Sequence, residues 1–94
     1  MVQKNKTFSD LDLENMANIL FKKDSKLASA FIQKNIKLLP QNDKLWIIWI
    51  LSEYKIGNQA QALNLAKQYY SISPNERSYY LLNMLSQGLP LEIN

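Results

Sequence analysis

The chain has neither cysteine nor histidine among its 94 residues. No disulfide can form, no thiolate or imidazole is available to hold zinc, and the commonest general base and the most reactive nucleophile of enzymes are both missing. Only one of the eleven basic residues, Arg77, is an arginine. Base and phosphate recognition draws heavily on the bidentate guanidinium fork, so this shortage argues against a nucleic-acid interface. The longest apolar run, Leu45 to Leu51, is seven residues, far short of the roughly 20 that span a bilayer. Between Met1 and Asn15 no apolar stretch has the length of a signal-peptide core. The expectation is a cytoplasmic protein with no membrane insertion, no metal and no cofactor.

What is present describes a folded chain. Hydrophobic residues make up 47% and aromatics 11%, which places it among globular proteins and makes residues 1–94 one domain. A chain of this length buries roughly 60–65% of its unfolded surface, which leaves its stability marginal. The formal net charge of +3 comes from the first half, where residues 1–40 hold seven lysines against four acids. Lys22, Lys23, Lys26, Lys34 and Lys37 read as a solvated surface rather than a nucleic-acid site.

Pro40 and Pro74 stand 34 residues apart, and each closes a segment that reads as a helix, a tight turn and a second helix. The first helix begins with Ser9 as its cap, Phe8 and Leu13 as a hydrophobic staple, and Asp10, Asp12 and Glu14 at the positive end of its dipole. Residues two apart on a helix diverge, so those three carboxylates are capping groups rather than an acid/base or metal cluster. The helix runs to about Lys22 and turns at Lys23-Asp24-Ser25. A second helix then runs to about Leu38, with Leu27, Phe31 and Leu38 on one face and Ala28 and Ile32 on a neighbouring one. Asn42 or Asp43 opens the third helix, whose seven consecutive apolar residues require cover nearly all round, and Gly57 ends it in a left-handed cap. Asn58 opens the fourth helix, where Ala62 and Ala66 allow close backbone approach and Tyr69 completes the face. The fifth spans roughly Glu76 to Gln87 and ends at Gly88 and Pro90, with nothing to pair with it afterwards.

Residues 43–76 resemble a tetratricopeptide repeat through Trp46, Ala62 and Pro74, with Gly57-Asn58 at the inter-helix turn. They depart from the pattern at Trp49, Ile50, Glu53 and Ala66. Residues 9–42 match through Ala28, Ile32 and Pro40, and residues 77–88 supply a terminal helix whose Tyr80 stands where Trp46 does. The resemblance implies an all-α stack of about five helices, two helical hairpins plus a capping helix, that binds another protein and catalyses nothing. In this family the first helix of each hairpin lines a concave face. The matching positions here are Leu13, Leu20 and Phe21, then Ile47, Leu51 and Tyr54 at i, i+4 and i+7, then Leu81 and Leu85. Relatives that clamp a terminal carboxylate place Lys and Asn on this wall, and Ile47 and Leu51 cannot donate such bonds.

Two readings of the apolar wall stand side by side: helices folded over it as core, or an open groove that takes the apolar face of a partner's amphipathic helix. In size, repeat count and truncated third unit the chain is similar to the small co-chaperones that hold needle subunits of bacterial type III secretion. That resemblance implies a protein client and a second small helical co-chaperone. A structural adaptor of the same repeat family is the alternative, with Leu89, Leu91 and Ile93 available to stack on a neighbour. Tyr69-Tyr70 and Tyr79-Tyr80 split between packing and surface, and Glu53 has no catalytic companion.

Overall fold

The computed structural model describes residues 8–91, and within the first helix the side chains from Asp10 onward. Those residues contain five α-helices and no strand: α1 (Phe8–Lys23), α2 (Ser25–Asn35), α3 (Asp43–Ile56), α4 (Gln59–Ile72) and α5 (Glu76–Ser86), with one 3₁₀ turn at Ile36–Leu38. Each helix packs on the next in the chain, and α1 also packs on α3. No contact of that extent joins α3 to α5. The molecule measures 46 × 29 × 21 Å, the proportions of a row of helices with two distinct ends.

Local chemistry sets the boundaries. A single residue, Asp24, separates α1 from α2; its extended backbone breaks the first helix and its carboxylate accepts from the Lys26 N–H to start the second. Asn42 caps α3 by accepting from Leu45 N–H at 3.0 Å. Gly57 ends α3 with φ of 102°, the left-handed conformation that side chains resist. At α5, Asn75 and Ser78 form a reciprocal capping box.

Several expected ends differ. Helix α1 begins at Phe8, so Ser9 lies within it, and the expected Ser9 cap and Phe8 staple fall on side chains outside the described residues. The second helix tightens into 3₁₀ geometry after Asn35, because Pro40 cannot continue it and the last turn must narrow. Asn58 precedes α4 without using its side chain as a cap and instead donates its amide to Glu53 Oε1 at 2.9 Å.

The core follows α3. Leu45, Trp46, Ile48, Trp49 and Ile50 are buried, joined by Ala28 and Ile32 from α2 and Ala62, Leu65, Ala66 and Tyr69 from α4. The Trp46 ring stacks on Tyr69 with centroids 6.1 Å apart and meets Trp49 at 5.4 Å, while its Nε1 donates to the Pro40 carbonyl at 2.8 Å. Alanines 62 and 66, fully buried, leave the room that these rings occupy. On α2 the burial is one-sided. Leu27 and Leu38 are exposed, so the face expected to carry Leu27, Phe31 and Leu38 lies toward the edge and Ala28, Ser29 and Ile32 form the buried stripe.

Candidate functional site

Helices α1 and α3 touch directly, which brings the first two groups of the expected wall together. Leu13 and Leu20 from α1 and Ile47, Leu51 and Tyr54 from α3 are all half-buried and packed against the core. Each keeps an apolar portion toward solvent. The three α3 residues occupy the side left over once Trp46, Trp49 and Ile50 are buried, as their i, i+4, i+7 spacing requires.

The remaining expected wall residues are placed differently. Phe21 is buried, and Lys55 Nζ sits over its ring at 5.3 Å, a cation–π contact that covers one aromatic face. Leu81 and Leu85 are buried with Ser78 on one stripe of α5, the helix that packs on α4 rather than extensively on α3. Their counterparts one period earlier, Ile47 and Leu51, are half-buried, so α5 presents a different face to the core from the one α3 presents.

The chain after α5 supplies a contact that helical periodicity does not show. Gly88 takes a positive φ of 70°, the Leu89 N–H returns to the Met84 carbonyl at 2.9 Å, and the chain turns back so that Leu91 is buried. The Leu91 N–H donates to Tyr54 Oη at 3.2 Å. Leu91, expected as a residue free to stack on a neighbouring protein, is therefore part of this protein's own core, and Ile93 lies outside the described residues. The pairing of Gly88 with an apolar residue three positions on was the only sequence signal for this fold-back.

Glu53 is buried on α3, and both its oxygens are engaged. Ser29 Oγ on α2 donates to Oε2 and Asn58 donates to Oε1. The carboxylate ties α2 to the α3–α4 turn, which is a structural task. Two other buried polar atoms, Trp49 Nε1 and Tyr69 Oη, have no hydrogen-bond partner. Burial pushes the Tyr69 phenol above its ordinary 10.0, the nearby Asp43 charge adds to this, and Asn75 and Arg77 oppose it.

Away from the wall, a cleft of about 870 Å³ opens where the starts of α1 and α3 meet the 3₁₀ turn and the end of α4. Asp10, Glu14 and Asp43 line it together with Leu38, Pro40 and Ile72, and Asn42 Nδ2 donates to Glu14 Oε2 at 2.7 Å. None of the expected wall residues lines this cleft. Asp10 and Glu14 are expected as capping groups, and no pattern in the sequence brings them to the segment after Pro40. Among the described residues no group of acidic side chains has the spacing of a metal site, and no helix is long and apolar enough to cross a membrane. Comparison with protein-family models, with curated proteins and with solved structures finds no match to the chain.

Proposed function

We propose that this protein is a small cytoplasmic chaperone of the tetratricopeptide type, which holds the apolar face of a client's amphipathic helix against α1 and α3. The observation that carries the reading is the half-buried stripe of Leu13, Leu20, Ile47, Leu51 and Tyr54 on two touching helices. Side chains of this kind, packed beneath and open above, give anchor residues at i, i+3, i+4 and i+7 of an incoming helix a preformed apolar seat. Of the other expected wall residues, Phe21 is buried on α1, and Leu81 and Leu85 are buried on α5 and lie outside that seat. The role is binding, without catalysis or cofactor. The narrower client that the sequence resemblance implies is a needle subunit of type III secretion, held with the help of a second small helical protein.

Leu51→Glu tests it. The side chain is half-buried, so the charge can reach water while spoiling an apolar seat. Tagged wild type purified from native cells is expected to retain a small helical protein at both low and high salt, and Leu51→Glu to lose it with helical circular dichroism unchanged. Retention of the same partner by the variant, or collapse of its helicity, overturns the groove. Recovery of nucleic acid that high salt removes favours the lysines instead.

A further inference from the structure

Large apolar side chains left in water cluster on one face of α1. Leu11 is 51% exposed, Met16 45% and Ile19 54%, and Asp12, Asn15, Lys22 and Lys23 share that exposed side. Leu13 and Leu20 run along one edge of this face, beside Met16, and Leu11 and Ile19 point away from them. Shifted by one 34-residue period, Leu11 and Ile19 stand where Leu45 and Glu53 stand in α3. Leu45 is fully buried and Glu53 accepts from Ser29 of the preceding helix α2. The face is thus the one by which a helix of this protein packs on the helix before it, and α1 has none before it among the described residues.

Its charge pattern selects an occupant. On this exposed face an acid lies toward the start of α1, at Asp12, and bases at its end, at Lys22 and Lys23, while Asp10 and Glu14 turn away toward the cleft. A matching helix must read base, apolar, acid when laid antiparallel, and that is α1 itself reversed. We infer that α1 is a self-association surface on which a second copy docks its own α1 in antiparallel, two-fold fashion. Asp12 of each copy then faces Lys22 and Lys23 of the other, and Met16 and Ile19 meet across the axis. Antiparallel helix dipoles add to the match, whereas a parallel arrangement sets like charges together. Met16 lies one turn from both Leu13 and Leu20, so this surface borders the proposed client seat, and it is tested on the chain alone, without a client.

The test uses the full chain, whose lack of cysteine makes any single thiol unambiguous. Sedimentation equilibrium is expected to show a reversible monomer–dimer equilibrium at micromolar concentrations. Met16→Glu with Ile19→Glu is expected to weaken it at least about tenfold with unchanged helicity. Lys22→Glu with Lys23→Glu weakens it too, and adding Asp12→Lys restores part of the loss. With the axis near residue 17, a rise of ~1.5 Å per residue offsets the two copies by only about 3 Å at position 16 but about 18 Å at position 23. A disulfide needs Cα atoms within about 7 Å. Oxidised Met16→Cys should therefore form a covalent dimer and Lys23→Cys should not. A chain that stays monomeric up to hundreds of micromolar, a dimer indifferent to the two glutamates, or efficient cross-linking through Lys23→Cys overturns the proposal.

Discussion

Tyr69 shows how a single side chain can be well packed and still carry an unmet need. Its ring is fully enclosed and stacks on Trp46, but its hydroxyl has no partner at full hydrogen-bond geometry, with Asn75 and Asp43 near enough only to bias its ionisation, and a buried hydroxyl so poorly paired costs about 1–3 kcal/mol. Tyr69→Phe keeps the ring and removes the oxygen. Chemical denaturation is expected to show the variant at least as stable as wild type, by up to about 1 kcal/mol. The phenol's raised pKa gives a second handle. A group that ionises less readily when folded lends stability that is fully present below its unfolded value, near 10, and is lost as pH rises through the higher folded value. Wild type should lose stability as pH rises above about 10, and Tyr69→Phe should lose less; equal losses would contradict this. Glu53 is the opposite case, with Ser29 and Asn58 both donating to it. Glu53→Ala orphans the buried Ser29 hydroxyl, while the exposed Asn58 amide can turn to water, and is expected to cost about 1–3 kcal/mol, read as a fall in unfolding midpoint at unchanged denaturant slope.

At the scale of elements, the turns decide most of what the helices do. Gly57 sits at φ 102° with nothing within 4 Å of where a Cβ would stand, so substitution there tests backbone strain alone. Gly57→Ala is expected to cost about 1–2 kcal/mol, and Gly57→Asn less, since asparagine tolerates the left-handed region. These punctuation residues are why the order and type of the helices were legible in the sequence: Asp24, Pro40, Asn42, Gly57, Asn75 and Gly88 each stop or start a helix by local chemistry. The lateral placement of α5 was not legible. Periodicity names the stripes a helix has, and Leu81–Leu85 and Tyr80–Met84 both recur at helical spacing; which one is buried depends on where α4 and the returning Leu91 lie. The same limit applies to the wall. Residues on α3 were placed by the demands of their buried neighbours Trp46, Trp49 and Ile50, but the cleft between Asp10, Glu14 and Asp43 joins segments about 30 positions apart, and no local pattern reports that.

For the whole molecule, a row of helices that each touch mainly the next has stability that varies along its length. Helix α3 lies at the centre, packed on α1, α2 and α4, and its amides are expected to exchange only through global unfolding. Helix α5 is held by α4 and by one clasp to α3, the Leu91 side chain and its N–H to Tyr54 Oη. It should open as a separate unit at lower free energy. Native-state hydrogen exchange is expected to show slowest exchange in α3, with α5 faster and its amides moving together. Leu91→Ala removes buried apolar area worth about 2 kcal/mol, and the loss should fall on α5 and on Tyr54 while the protection of α2 is nearly unchanged. If α2 and α3 lost protection as much as α5 did, the chain would be one cooperative unit and the clasp would be core like any other. If only α5 responded, the fold-back of Leu91 would be what couples the last helix to the rest.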